Sequence, residues 1–400
     1  MQNCKCETFI KKILEHEEKL ISILIDLEPR IVAKDEIIRS INCLEGLKNS
    51  NQTIFLESVC SYLPMNQPFY SFILNVFTAR LVAKKVFYRP AEKQRKLHEA
   101  LYELFSDVLE GIRLCCDSRK EFLRKYVCDS DVVIFTGKYE NAISLYHELS
   151  PSTLMFFNGS ALNPIIVASE SGIERTVQDV INARLYNSGQ DCMAPAAIFI
   201  QSTLEQKFIS LLTEGLKKIV TGHNNCEDVL VGPIINRDYF EENLKHIENN
   251  RASIRYGGKS NDKTLLIEPT VFLINSNNFS QYQNIIYAPF FFIFTYDDET
   301  QILDYLSTDV AELYKGYISI YGTLNNECEI EKMNYVILKN KTLFDHEEGS
   351  KEFGGFGEGC SFVAYRGEIH SKPTLLLREI NEILCKNTTG QGQMFHKENG

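Results

Sequence analysis

Asn187-Ser188-Gly189-Gln190-Asp191-Cys192 is the stretch that decides the reading. It falls between a helical pattern, Ile173–Tyr186, and a strand-like run, Ala196–Gln201. A cysteine at such a junction can face a substrate, and nearby backbone N–H groups can favour its thiolate. Alone the segment decides little, because a cysteine beside a turn is more often a small buried residue. Its weight comes from the segments around it.

Working outward, the chain alternates between strand and helix patterns. Short apolar runs at Asp131–Thr136, Leu154–Phe157, Ile165–Ala168, Ala196–Gln201, Phe290–Thr295 and Tyr317–Tyr321 suit the strands of a buried parallel sheet. Helical spacing marks Ile173–Tyr186, Leu204–Ile219, Phe240–Asn249 and Thr300–Ser307 between them. Such alternation predicts α/β layers. Thr8–Leu47 predicts two amphipathic helices, Thr53–Val59 and Val86–Tyr88 two strands, and Glu92–Cys115 one long helix. Leu63-Pro64-Met65-Asn66-Gln67-Pro68 is a turn. The tail from Lys386 is polar and glycine-containing, as disordered segments are.

Several of these segments, taken in order, resemble motifs of the aldehyde dehydrogenase superfamily. Asn187–Cys192 is similar to its cysteine signature, in which Gly-Gln precedes the nucleophile. Pro64-Met65-Asn66-Gln67-Pro68 resembles its Pro-Trp-Asn-Phe-Pro turn, Arg89-Pro90-Ala91-Glu92 its Lys-Pro-Ser-Glu, and Phe135-Thr136-Gly137 its Phe-Thr-Gly strand end. Val231-Gly232-Pro233-Ile234-Ile235-Asn236, Gly257-Gly258, Glu268-Pro269-Thr270-Val271 and Phe353-Gly354-Gly355 follow in the family order. The resemblance covers roughly Ile54–Lys372, and its specificity lies in the ordered set.

The resemblance implies an α/β fold with two Rossmann-like parallel-sheet domains behind an N-terminal helical segment. It divides the chain into a helical segment at 1–52, a dinucleotide-binding domain at 53–160 and a catalytic thiol domain at 161–360. A returning bridging segment at 361–385 and a disordered tail at 386–400 complete it. It implies Cys192 as the nucleophile that attacks an aldehyde carbonyl, and Asn66 as side-chain donor to the oxyanion beside the Cys192 N–H. NAD or NADP is the implied cofactor, held by Arg89 and Glu92 at the adenosine ribose. Lys138 stands near the pyrophosphate, and Met65 and Tyr287 occupy cofactor-side positions.

Three departures from the family pattern shape the expected chemistry. Asn158, 34 residues before Cys192, stands where hydrolytic members carry a glutamate, and an amide cannot take a proton from water. In Asn284-Ile285-Ile286-Tyr287-Ala288-Pro289-Phe290, Ile285 replaces the glutamate that holds the nicotinamide ribose. About a hundred residues of the usual N-terminal region give way to helices, so a homodimer is an open expectation rather than an inherited one.

Composition narrows the partners. Acidic residues outnumber basic ones, 53 to 42, for a formal charge of −11. That balance disfavours nucleic acid and an anionic membrane surface. No apolar run reaches the ~20 residues of a membrane span. Met1–Glu18 mixes charge into its apolar residues and lacks a signal-peptide core. The twelve cysteines are scattered, as expected of free thiols in a reducing cytoplasm, and Cys4 and Cys6 find no second pair for a metal. His223 and His370 likewise lack metal-spaced partners. Two readings stay open. One is an NAD(P)-dependent oxidoreductase acting on a small aldehyde or acyl thioester through Cys192, by a non-hydrolytic route. The other is a catalytically silent homologue that serves as a binding or assembly partner.

Overall fold

The computed structural model describes residues 2–48, 55–275, 279 and 282–388. Two seven-stranded sheets form the framework. Five parallel strands of the first sheet are Leu56–Tyr62, Ala83–Arg89, Ile112–Leu114, Val132–Thr136 and Leu154–Asn158. Numbered in chain order they lie 3-2-1-4-5 across the sheet. The order reverses between the first and fourth, so a crevice opens at the C-terminal ends of Leu56–Tyr62 and Val132–Thr136, where doubly wound sheets take their ligands. The turn at Asn66 and the Phe135-Thr136-Gly137 corner leave the sheet at these two ends.

The second sheet runs Ile254–Tyr256, Thr270–Asn275, Phe290–Tyr296, Ile198–Gln201, Ile165–Val167, Tyr317–Tyr321 and Val336–Lys339, with only the first strand antiparallel. Both faces of both sheets are covered by apolar layers. That is why the parallel strands read as unbroken apolar runs, such as Phe290-Phe291-Phe292-Ile293-Phe294. Among the described residues no helix is long and apolar enough to cross a membrane.

Four expectations need correction. The N-terminal region forms three helices, Gln2–Glu15, Glu17–Leu24 and Arg30–Leu47, because the chain breaks at His16 and again before Pro29. These helices are not a separate segment: Phe9, Leu20, Ile21 and Ile37 share one core with Val59, Val86 and Phe105 of the first sheet and its helices. Glu92–Cys115 is not one helix. Its helical part, Arg95–Leu104, gives way to the strand Ile112–Leu114 after Gly111, whose φ of +80° no ordinary side chain adopts cheaply. Ser361–Tyr365 and Glu368–Ser371 extend the first sheet as antiparallel strands beside Leu154–Asn158, and Leu376–Thr388 is helical past Lys386. The expected disordered tail beyond residue 388, and the start of the strand expected at Thr53, lie outside the described residues.

Candidate active site

The chain leaves helix Ile173–Leu185 and passes through three successive left-handed residues, Asn187 (φ 46°), Ser188 (φ 60°) and Gly189 (φ 74°). Left-handed backbone costs a non-glycine residue about 1–2 kcal/mol, so the surroundings must hold it. They do. Ser188 Oγ accepts the Gly232 N–H at 2.8 Å, and Gln190 donates to Pro233 O at 3.1 Å while accepting the Ile235 N–H at 2.7 Å. A Cβ on Gly189 would stand 2.2 Å from Ala288 O, so glycine is required there. The Asn187–Cys192 loop and the Val231–Asn236 segment are therefore bonded to each other.

Arg184, at the end of the same helix, is 3% exposed and spends its guanidinium on carbonyls. It donates to Phe290 O at 2.6 Å, Ile286 O at 2.7 Å, Ala288 O at 2.5 Å and Pro195 O at 3.2 Å. The loop that carries Tyr287 is thereby pinned beside the thiol loop. Tyr287 bonds Ser160 Oγ through its hydroxyl at 2.7 Å, and its carbonyl accepts from Asn243 at 3.1 Å. Ile285 packs against the apolar core of the second sheet, so it offers the crevice no acceptor.

Cys192 sits half-buried at the head of this loop. Its carbonyl accepts from Asn163 Nδ2 at 3.3 Å. Burial, then Asp191 and Cys360, push its thiol well above the ordinary value. The neutral thiol is thus the resting state, which corrects the expectation that the junction favours a thiolate: loss of water outweighs the backbone donor. Asp191 links the thiol loop to the Asn66 turn. One oxygen accepts from Gln67 Nε2 at 2.8 Å and Asn66 Nδ2 at 3.3 Å, and the other takes the Met193 N–H at 2.8 Å. Burial raises this carboxyl to about 6 against those hydrogen bonds.

A cavity of about 490 Å³ joins these parts. Cys192, Asn66, Asn158 and Tyr287 line it, and so do Met65, Arg89 and Lys138 on the first-sheet side. Met65 O also accepts from the Gln94 amide. Glu92 does not reach the cavity. Its side chain is 64% exposed and lies between Arg95, at 3.0 Å, and Arg89, at 3.6 Å, two cations that draw it outward. Arg89 Nε donates to Asp117 O at 3.0 Å.

Sequence reasoning missed four groups. Arg184 lay four residues after buried Val180, so helical spacing put it on the inner face. Asp191 stood inside the quoted segment, unpaired in sequence. Glu347 lines the cavity with one oxygen accepting from Arg39 at 2.7 Å and the other from Tyr70 OH at 2.6 Å, across 308 and 277 residues. Glu28, 1% exposed, lines it from the connection between the second and third N-terminal helices. No local pattern announces the last two.

Comparison with known proteins agrees with this architecture. A family model described as "Aldehyde dehydrogenase family" matches residues 57–310. An NADP(+) succinate-semialdehyde dehydrogenase of Schizosaccharomyces pombe is 26% identical over 258 residues, 62% of this chain and 51% of its own length. A betaine aldehyde dehydrogenase of Brucella anthropi is 27% identical over 149 residues, 35% of this chain and 31% of its own. The match thus spans about half of the first relative and a third of the second. Among solved structures, an apo betaine aldehyde dehydrogenase of Staphylococcus aureus superposes with TM-score 0.78 at 18% identity, covering 93% of this chain and 82% of that one. The glyceraldehyde-3-phosphate dehydrogenase GapN of Methanocaldococcus jannaschii, complexed with NADP, gives 0.75 at 18%, covering 93% and 89%. With well over half its length matched by the family model, and with both sheets in place, the chain belongs to the aldehyde dehydrogenase family.

Proposed function

We propose that this chain is an NAD(P)-dependent oxidoreductase that forms a covalent adduct between Cys192 and an aldehyde or acyl thioester, and passes the acyl group on without hydrolysis. The observation that carries this reading is the junction made by Asp191, which ties the Asn66 side chain to the residue next to Cys192 within one cavity. The Cys192 thiol loses its proton to solvent water, its sulfur attacks the carbonyl carbon, and the carbonyl π electrons move to oxygen. Asn66 Nδ2 and the Cys192 N–H are the donors for that oxyanion, worth about 3 kcal/mol each.

The first-sheet end fits the phosphate half of a dinucleotide. Thr136 Oγ1 is buried at the cavity wall without a partner, and Arg89, Arg119 and Lys138 bring positive charge to the same wall. Lys138 also precedes the helix Tyr139–Tyr146, whose first N–H groups favour an anion. These residues would hold the phosphates, while Tyr287 borders the other half. A bound nicotinamide ring would supply the hydride acceptor or donor.

Deacylation is where the chain departs from hydrolysis. Asn158 has no basic oxygen for a water proton. The carboxylates of Asp191 and Glu347 have both oxygens engaged, and burial beside Glu36 pushes Glu28, the other acid on the wall, well above its ordinary value, which disfavours its basic form. A second thiol is then the acyl acceptor, and the acyl–sulfur bond passes from Cys192 to it. The test is product analysis after incubation with an aldehyde and NAD or NADP. An acyl-enzyme that persists until coenzyme A or another thiol is added supports this reading, and rapid release of free acid without thiol contradicts it. The second reading, a silent homologue acting as a binding partner, draws on Ile285 and the high resting thiol. It gains if no aldehyde gives either an adduct or a nicotinamide absorbance change.

A further inference from the structure

Part of the cavity wall comes from elements that have no place in the thiol chemistry. Leu27 and Glu28, between the second and third N-terminal helices, and Leu47, at the end of the third, line it with Tyr70, Leu74 and Glu347. The charge there is one-sided. Glu28 (1% exposed), Glu36 (0%) and Asp191 (3%) are buried, with Asp35 and Glu347 nearby. The cation among them is Arg39, already bonded to Asp35 and Glu347 at 2.7 Å each. Arg184 is committed to four carbonyls, and Lys351, at the rim, to Glu348.

Glu28 is the anomaly. Neither of its oxygens receives a hydrogen bond from an N–H or hydroxyl donor. Its carboxyl meets that of Glu36, whose Oε1 accepts the Tyr70 N–H at 2.9 Å and whose Oε2 has no such donor either. Two carboxyls in contact must share a proton, and the arrangement still leaves acceptors empty at a cavity wall. Burying acceptors without donors is costly, so the site is poor as packing and suited to a ligand that brings donors.

We propose that this part of the cavity binds a protonated primary amine on the substrate, so that the preferred aldehyde or acyl thioester carries an alkylammonium group at the end away from its carbonyl. The inference rests on the reading of Cys192 as the carbonyl-facing nucleophile. An ammonium has N–H donors for the empty Glu28 oxygens at the wall and a charge for the surplus of carboxylates, buried Glu36 included. A quaternary ammonium matches the charge and lacks the donors. An anionic semialdehyde, of the kind named for the yeast relative, meets repulsion.

Binding of the amine displaces the shared proton to solvent. Burial pushes Glu28 well up, with Glu36, Asp191 and Asp35 adding to it, and raises Glu36 to about 7. Tyr186, from the thiol loop, faces the same group. Because Glu36, raised to about 7, gives up its proton between pH 6 and pH 8, amine affinity rises over that step, where the amine is still charged.

The test is calorimetric titration of the full chain with n-butylammonium chloride, n-butyltrimethylammonium chloride, 1-pentanol and sodium pentanoate at pH 6 and pH 8, for wild type and Glu28→Gln. The expected order has n-butylammonium tightest by about tenfold over each of the others, tightening with pH, and losing that margin in the variant. Equal affinity for the alcohol, the carboxylate or the quaternary amine overturns the proposal, as does an unchanged margin in Glu28→Gln. Should the variant fail to fold, the wild-type order and pH trend decide. Tight amine binding without any Cys192 adduct would sink the catalytic reading alone, and turnover of neutral aldehydes without amine binding would sink this one alone.

Discussion

The two ends of the cavity are built on opposite principles. At the thiol end each unusual feature is bonded several times over: three left-handed residues are held by Ser188, Gln190 and a glycine contact, and Arg184 fastens four carbonyls. Burial moves ionisable groups there out of their ordinary ranges, as with Cys192 and Asp191. At the dinucleotide end, Lys138 is exposed and Glu92 lies 64% in water. On the proposed reading, position is fixed where bonds would form and break, and only charge is offered where a phosphate would land. Substitutions should therefore be costly to the fold at one end and cheap at the other.

The largest effect is expected from Arg184→Met, which leaves four buried carbonyls without their donor. Stability should fall by about 4 kcal/mol in a urea titration, with loss of adduct formation at Cys192. A loss under about 1 kcal/mol would erase the contrast between the ends.

Glu36→Gln comes next. Glu36 is raised to about 7 in the folded chain, with burial as the first cause, against about 4.3 for an unfolded glutamate. Between those values the folded chain holds more protons than the unfolded chain, so wild-type stability falls as pH rises through the window. Glutamine still accepts from Tyr70 N and removes that fall. The variant should match wild type near pH 4 and exceed it by roughly 4 kcal/mol at pH 8, read from thermal melts. A variant less stable at pH 8 than at pH 4, relative to wild type, would reverse the sign of the account.

The smallest effect is expected at Lys138→Ala. Melting should be unchanged, and NAD or NADP affinity should weaken about threefold to tenfold, with less difference at high salt. A change in stability larger than the change in affinity would place Lys138 with the structural end.

The contrast also explains what the sequence made legible. Motifs built on backbone geometry could be read, because Gly189 and the Pro64 and Pro233 turns need particular residue types whatever their distant partners are. The strand patterns were legible for a similar reason, since burial on both faces leaves an apolar run. Glu92–Cys115 misled because Leu104, Val108 and Ile112 keep helical spacing across Gly111, where the chain turns into a strand. Glu28, Glu36 and Glu347 were illegible as site residues. Each looks like a solvated acid on a helix or loop until folding sets it against Tyr70, Arg39 or a second acid far along the chain.

The central claim, a thiol at residue 192 presented to a carbonyl carbon with Asn66 beside it, is tested most directly by peptide mass mapping of the covalent adduct over pH 6–10. The chain is mixed with an aldehyde and NADP or NAD, and wild type is compared with Cys192→Ala and Asn66→Ala. The account predicts one adduct, on Cys192, forming faster as pH rises because the buried thiol must first lose its proton, absent in Cys192→Ala and slowed about a hundredfold in Asn66→Ala. An adduct on another cysteine, or formation at Cys192 with no dependence on Asn66, contradicts it.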